Sequence, residues 1–239
     1  MTSWLEIRGL TKRFEGVVAN EAIDFDLVEG GIRCVIGPNG AGKTTFISMI
    51  SGHHRPTAGR ILFEGHDVTA WPVARRARAG IARKFQTPPV FPNLTAYENI
   101  ELSVLTSRVK VASPQRRTDE VLEIVRLTDV RGTPALALSH GQRQWLEIGL
   151  LLGMGARLLL LDEPTAGMTA AETHATGELV RHLVRDRNLS AIIIEHDINF
   201  IRDLKAPVTV LHLGRTFAEG DFSAIAADER VRGIYLGSG

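Results

Sequence analysis

Residues 37–44 make up a complete G-x-x-x-x-G-K-T loop, which reads Gly37-Pro38-Asn39-Gly40-Ala41-Gly42-Lys43-Thr44 and is followed by Thr45. An apolar run, Ile32–Ile36, precedes the loop and a helix-compatible stretch follows it, which is the strand–loop–helix context that this motif requires. Glycines leave room for backbone N–H groups around phosphate oxygens, while the Lys43 ammonium suits the phosphates and the Thr44 hydroxyl suits Mg²⁺. The pattern therefore predicts a nucleoside triphosphate site.

The composition is that of an ordinary soluble protein. The chain has 239 residues, of which 44% are hydrophobic and 23% are charged, so it can bury a substantial core. The formal net charge of +1 argues against nucleic acid as a partner, because proteins that bind it electrostatically carry a clear basic excess.

Membrane and secretion signals are not found in the sequence. No apolar run approaches the roughly 18 residues that span a bilayer, and the N-terminus lacks the basic and apolar regions of a signal peptide. The single cysteine, Cys34, excludes an internal disulfide, fits a reducing compartment and is expected to be a small buried hydrophobe. We therefore expect a cytoplasmic protein without direct membrane insertion, whose contact with a membrane depends on protein partners.

Short apolar runs separated by turn residues indicate an α/β fold. The runs Leu158–Leu161 and Ala191–Ile194 are apolar on both faces, as in central parallel strands that helices cover on each side. Residues 28–31 read Val-Glu-Gly-Gly and suggest a hairpin-like turn between two such runs. Earlier runs, from Leu5 to Phe63, favour an N-terminal antiparallel β portion.

Helical periodicity dominates between residues 88 and 155, and Thr95 with Glu98 fits a capping box at the start of a helix. We therefore predict a single domain over residues 1–239. Its nucleotide-binding core, of the P-loop NTPase (RecA-like) type, comprises residues 1–87 and 156–239, and a helical subdomain at residues 88–155 is inserted into it.

Two further runs end in polar residues that suit phosphate chemistry. Asp162 and Glu163 follow Leu158–Leu161, so Asp162 is expected to complete the Mg²⁺ shell and Glu163 to orient or deprotonate the attacking water. His196 follows a second buried run and is expected to donate to the γ-phosphate. The plainer alternatives are a strand that ends in solvent and a structural histidine.

The segment Leu138-Ser139-His140-Gly141-Gln142, together with Gln86 in Arg83-Lys84-Phe85-Gln86, completes a pattern that resembles the ATP-binding subunits of ABC transporters. The resemblance covers nearly the whole chain, in the family's order of motifs. It implies that Phe14 stacks on adenine, that Gln86 contacts the nucleotide and its Mg²⁺, that Glu163 is the catalytic glutamate and that His196 is the switch histidine. It also implies ATP and Mg²⁺ as cofactors.

The residues 138–142 form the family's signature motif. Ser139 is expected to begin a helix whose free N–H groups and positive dipole end favour a phosphate, and Gly141 admits close backbone approach. In the family, this surface faces the phosphate loop of a second subunit, so the resemblance implies that Ser139, Gly141 and Gln142 contact ATP held between two chains. The implied partners are a second ATPase subunit, membrane permeases and, indirectly, an extracytoplasmic solute-binding protein, at the inner face of the cell membrane.

Two departures from the family pattern stand in this sequence. The second signature residue is His140 instead of glycine, and the loop after Glu163 reads Ala166-Gly167-Met168-Thr169, where the family usually ends in aspartate. Thr169 is shorter and uncharged, so the communication that the aspartate provides across the dimer is in question.

At both positions, the sequence resembles the branch of the family that imports branched-chain amino acids and urea. Within it, residues 140–149, including Trp145, and Val208–His212 are most similar to the urea type, so urea or a related small amide is the predicted cargo. Branched-chain amino acids are the alternative, and a non-transport ABC protein is a rival from another class. Trp145 fits either a buried helix face or a subunit contact.

Overall fold

The computed structural model describes residues 3–83, 90–107, 109 and 111–236. The strands within these residues are β1 (Leu5–Phe14), β2 (Val17–Leu27), β3 (Ile32–Ile36), β4 (Ala58–Phe63), β5 (His66–Asp67), β6 (Ile81–Arg83), β7 (Leu158–Asp162), β8 (Ser190–Ile194), β9 (Val208–His212) and β10 (Arg215–Gly220). The α-helices are α1 (Lys43–Ser51), α2 (Val73–Arg78), α3 (Ala96–Thr106), α4 (Pro114–Ile124), α5 (His140–Gly153), α6 (Ala170–Arg187), α7 (Ile198–Leu204), α8 (Phe222–Ala227) and α9 (Glu229–Leu236).

The strands form two sheets. An antiparallel sheet has the order β2-β1-β4-β5, and a second sheet has the order β10-β9-β3-β8-β7-β6, in which only the β9–β10 pair is antiparallel. Because parallel neighbours end at the same edge, the loops after β3, β7 and β8 meet at one side of this sheet. The predicted fold class, with a parallel core and an antiparallel N-terminal portion, is confirmed.

The parallel sheet is buried on both faces, which explains the uninterrupted apolar runs. In β7, Leu158 and Leu160 belong to a core shared with the antiparallel sheet and α1, whereas Leu159 and Leu161 belong to a core on the other face. Alternate side chains of a strand point to opposite faces, so a strand between two cores needs apolar residues at every position.

The described part of residues 90–157 contains helices, short 3₁₀ turns and no strand. Thr95 caps α3 with the predicted capping box, since its side chain accepts from the Glu98 N–H and the Glu98 carboxylate accepts from the Thr95 N–H. Helix α5 starts from a capping box of its own between Ser139 and Gln142. The exact bounds of a helical subdomain at residues 88 and 155 stay a prediction.

The turn expected at residues 28–31 forms, but it does not connect a hairpin as predicted. The Gly31 N–H donates to the Val28 carbonyl at 3.2 Å, but the turn leads from β2 in one sheet to β3 in the other, so these strands do not pair. A sequence pattern marks the reversal of direction but not the sheet that the next strand joins. Within the residues that the structure describes, no helix combines the length and the apolar character required to cross a membrane.

Candidate functional site

The phosphate loop joins β3 to α1, and its glycines are required mainly by neighbouring strands. A Cβ at Gly37 would lie 2.1 Å from the Leu211 carbonyl oxygen on β9, and one at Gly42 would lie 2.4 Å from the Ala19 carbonyl oxygen on β2. Gly42 also has a φ of +94°, which favours glycine, whereas a Cβ at Gly40 would meet nothing within 4 Å. The backbone of the loop is thus held between two strands.

Lys43, the lysine of the loop, is buried, with 7% of the residue exposed. Its Nζ donates to the carbonyl oxygens of Gly37 at 2.7 Å and Pro38 at 3.0 Å. Burial lowers the pKa of Lys43, and the negative charges of Glu163 and Asp162 partly oppose that shift. The ammonium is therefore held by loop carbonyls and lies in the field of two carboxylates.

A cleft of about 310 Å³ opens beside the loop. The described residues that line it are Val17, Val18, Ala19, Asn39, Gly40, Ala41, Gly42, Lys43, Thr44, Thr45, Glu163 and His196. The fold therefore brings the loop together with the two polar residues that follow β7 and β8.

Glu163 and His196 form a pair just after the C-terminal ends of β7 and β8. Glu163 Oε1 lies 3.3 Å from His196 Nε2, and both side chains are partly exposed to the cleft. Glu163 has a φ of +49°, and its N–H donates to the Ile194 carbonyl at 2.9 Å. Such a left-handed conformation is uncommon for a residue other than glycine and is concentrated at functional sites.

Glu195 is a buried carboxylate to which the motifs assigned no role, and it binds the backbone next to both members of this pair. Its Oε1 accepts from the N–H of Thr165 at 2.9 Å and from the Thr165 hydroxyl, and its Oε2 accepts from the N–H of His196 at 2.8 Å. Glu195 therefore ties the segment after Glu163 to the segment of His196. The only sequence signal is an acidic residue directly after the apolar run Ala191–Ile194.

Asp162 ends β7 with a side chain that is only 4% exposed, and it is paired with Arg83 of β6. Arg83 Nη2 lies 3.3 Å from Asp162 Oδ2, and Nη1 donates at 2.7 Å to the hydroxyl of Ser48 on α1. The Ser48 hydroxyl in turn donates to the Thr44 carbonyl at 2.6 Å. Arg83 thus links the elements that carry Asp162 and Thr44, and the motifs assigned it no role.

The oxygens of Thr44 and Asp162 fit Mg²⁺ bound together with a nucleotide. Mg²⁺ is usually held by one or two protein oxygens, with phosphate and water completing its octahedron. The buried, charge-balanced carboxylate of Asp162 and the hydroxyl of Thr44, on adjoining elements, supply that donor set. Among the residues that the structure describes, no group of three His, Cys, Asp or Glu side chains could hold a metal.

Phe14, a predicted nucleotide contact, is not among the described residues that line the cleft. It is 40% exposed and packs edge-on against His54 with ring centroids 5.2 Å apart, although its β2 partner Val17 is a lining residue. Stacking of Phe14 on adenine stays a prediction. Gln86 lies outside the described residues, so its contacts with the nucleotide and Mg²⁺ stay predictions as well.

The signature residues lie at the start of α5 and are not among the described residues that line the cleft. The Ser139 hydroxyl accepts from the Gln142 N–H, and Gln142 Oε1 accepts from the Ser139 N–H at 2.9 Å. A Cβ at Gly141 would lie 2.4 Å from Glu172 Oε1, so a larger residue here would have to displace the Glu172 side chain of the same chain. Trp145 is partly buried and donates to the Thr176 hydroxyl at 2.9 Å.

Comparison with known proteins identifies relatives of the whole chain. The family model described as "ABC transporter" matches residues 20–166. The high-affinity branched-chain amino acid transport ATP-binding protein BraF of Pseudomonas aeruginosa is 32% identical, with 98% of this chain and 97% of BraF covered. The probable branched-chain amino acid transport ATP-binding protein LivG of Archaeoglobus fulgidus is also 32% identical, with 98% and 95% covered.

Proteins with other printed cargoes are similar too. The ribose import ATP-binding protein RbsA 1 of Rubrobacter xylanophilus is 36% identical over 97% of this chain, which spans about half of that protein, 47%. Among solved structures, the ADP conformation of MJ1267, an ATP-binding cassette of an ABC transporter, superposes with a TM-score of 0.90 and 26% identity, and each chain is fully covered.

Proposed function

Since this chain belongs to the ABC transporter family, as one of its ATP-hydrolysing cassettes, we propose that it powers the import of a small solute, with a branched-chain amino acid as cargo. It binds ATP with Mg²⁺. The observation that carries the catalytic part is the convergence of Lys43, Glu163 and His196 on one cleft. The cargo rests on the full-length similarity to BraF and LivG.

We propose roles for Lys43, Glu163 and His196 in the cleft, and for Glu195 behind them. Lys43 exchanges its two loop carbonyls for the β- and γ-phosphates of ATP, which are stronger partners because they are charged. Glu163 orients the attacking water and accepts its proton, and His196, 3.3 Å from Glu163, donates to the γ-phosphate. Glu195 holds both segments, so that the base and the donor keep their separation.

Thr44 and Asp162 would hold the Mg²⁺, which supplies positive charge beside the phosphates while ATP is bound. Arg83 balances the buried charge of Asp162 and keeps the carboxylate oriented beside α1.

The signature residues require a second chain. Since Ser139, Gly141 and Gln142 do not line the cleft of their own chain, we propose that they contact ATP bound to a second cassette, either a homologue or a copy of this chain. The dimer would dock on membrane permeases at the inner face of the membrane and act with a solute-binding protein. ATP binding would close it, and hydrolysis at Glu163 would reopen it.

Urea is the second candidate cargo. The similarity of residues 140–149 and Val208–His212 to the urea type favours it. None of the residues discussed is expected to contact cargo, so only transport itself separates the two candidates.

Solute uptake in cells that lack the gene tests the proposal. Uptake of radiolabelled leucine should fall to background and return with the wild-type gene or with Glu123→Gln, an exposed control on α4. It should not return with Glu163→Gln. Loss of urea uptake with intact leucine uptake would move the cargo to urea, and loss of neither would refute an import role for these solutes.

A further inference from the structure

His140, one departure from the family pattern, contacts the loop 166–169, which ends in the other departure, Thr169. His140 Nε2 lies 2.8 Å from the carbonyl oxygen of Ala166. The ring lies directly over Gly167, where a Cβ would come 3.2 Å from Nε2 and where the φ of +74° favours glycine. The imidazole at 140 therefore packs against a position where glycine is favoured.

Two other contacts join the same face of α5 to α6. Gly141 packs against the Glu172 carboxylate, whose pKa is lowered chiefly by hydrogen bonds from Thr169 and also by His140 and the Gly141 N–H. One turn later, Trp145 bonds to Thr176. Positions 141 and 145 are one turn apart on the same face of α5. Together with the His140 contact, they attach the first turns of α5 to α6 and to the loop that precedes it.

The loop leads directly from this attachment to the catalytic pair. The Ala166 N–H donates to the Glu163 carbonyl at 3.2 Å, and Glu195 binds Thr165 on one side and the His196 N–H on the other. Among the described contacts, the His140–Ala166 bond joins the signature helix directly to the turn that carries Glu163, whereas Glu172 joins it to Thr169 at the far end of the loop. Two hydrogen bonds, from His140 to the Ala166 carbonyl and from the Ala166 N–H to the Glu163 carbonyl, therefore connect the start of α5 to the backbone of Glu163.

We propose that His140 is a positioning residue for hydrolysis: its bond to the Ala166 carbonyl couples the signature helix to the Glu163 turn within one chain. The signature contacts ATP on the partner cassette, so the bond makes the geometry at Glu163 depend on ATP at the other site. It takes over part of the communication that an aspartate at position 169 would provide. The inference rests on the dimer in the proposed function.

Hydrogen–deuterium exchange on the purified full chain tests the bond without requiring a partner or cargo. His140→Ala should speed amide exchange in residues 163–169 by about three- to tenfold, the range expected for the loss of one hydrogen bond. His140→Gln, which keeps a donor of similar reach, should restore part of the protection. His182→Ala is the control: His182 lies on α6 with its side chain partly exposed, and its loss should change nothing in this loop.

Steady-state hydrolysis separates positioning from simple stabilisation. His140→Ala should lower kcat by about three- to tenfold, while the KM for ATP and the Tm stay near the wild-type values, and His140→Gln should recover kcat. An unchanged exchange rate at 163–169 would overturn the proposal. So would a wild-type kcat, or a lowered Tm with faster exchange throughout α5. Failure of the transport assignment would leave both readouts intact.

Discussion

Arg83 is a residue whose role follows from three elements that meet only in the folded protein. It is the last residue of β6, and its guanidinium, 10% exposed, lies between the Asp162 carboxylate and the Ser48 hydroxyl. Breaking a buried ion pair from one side leaves an uncompensated charge, which costs about 3 kcal/mol or more. The charge that could replace Arg83 beside Asp162 is a divalent cation brought by a nucleotide.

We therefore predict that Arg83→Met lowers the Tm of the nucleotide-free chain by several degrees and that Mg²⁺ with a non-hydrolysable ATP analogue restores more of it than in the wild type. Differential scanning fluorimetry with and without the ligand gives both quantities. Arg83→Lys keeps the positive charge but loses the second guanidinium nitrogen, so its Tm and its gain from the ligand should lie between those of the wild type and Arg83→Met. Equal gains from the ligand in all three proteins would contradict the proposed charge balance.

Cys34 gives a second prediction at this scale. It lies on β3 with no exposed surface, and burial, with a contribution from the charge of Glu195, raises its pKa to about 12. At pH 8 only about one thiol in ten thousand is then ionised, and the thiolate is the nucleophile. We expect a thiol reagent to leave the native chain unmodified at pH 8 and to label one thiol after unfolding.

The pH dependence of stability follows from the same shift. The folded state keeps a proton that the unfolded chain loses above its ordinary value of 9.0, so this contribution is complete below pH 9 and is lost as pH rises towards 12. Rapid labelling of the native chain at pH 8 would contradict the burial of Cys34.

At the scale of elements, α1 depends on a side chain from another helix. Arg76 of α2 is 1% exposed, and its Nη1 donates to the carbonyls of Met49 at 2.6 Å and Ile50 at 2.7 Å, at the C-terminal end of α1. Its Nε and Nη2 donate to Trp71 and Thr69 carbonyls. Burial lowers the pKa of Arg76 to about 10, so it remains charged at neutral pH and complements the helix dipole.

Arg76→Met should destabilise the folded chain by about 2–4 kcal/mol, because several buried carbonyls lose their donors. Arg78→Met, on the exposed side of the same helix, is the matched control and should change stability by less than about 0.5 kcal/mol. Urea denaturation followed by circular dichroism compares the two. A similar loss of stability in both variants would show that the substitutions act on α2 itself and not on the hydrogen bonds from Arg76 to the end of α1.

The same elements show which features can be predicted from the sequence. The phosphate loop, the Asp162–Glu163 strand end and the capping box at Thr95 are local patterns, and the structure forms each where the pattern predicts it. Arg83, Glu195 and Arg76 are invisible to such patterns, since their partners lie on other elements. For Gly141, the sequence indicates that a backbone approaches closely, but it does not indicate that the neighbour within the same chain is Glu172.

For the whole molecule, the proposed sharing of each ATP site between two chains predicts that a closed dimer can be trapped. Glu163→Gln should lower ATP turnover by about 10² or more, because the water loses its base, while ATP binding persists. Without hydrolysis, the closed dimer should accumulate in ATP and Mg²⁺, as size exclusion with light scattering would reveal. Glu123→Gln should behave like the wild type, and near-normal turnover by Glu163→Gln would refute the catalytic assignment.

The position of β3 in its sheet has a consequence for biosynthesis. Cys34 pairs with Ile193 on β8 and with Val208 on β9, so the strand that carries the phosphate loop has both neighbours near the end of the chain. On the ribosome, β3 emerges early and keeps two unpaired edges until Ser190 and the residues after it have been translated. A nascent chain that stalls before Ser190 would thus carry the nucleotide motif without a cleft to bind ATP, and would depend on chaperones to keep those edges apart from other chains.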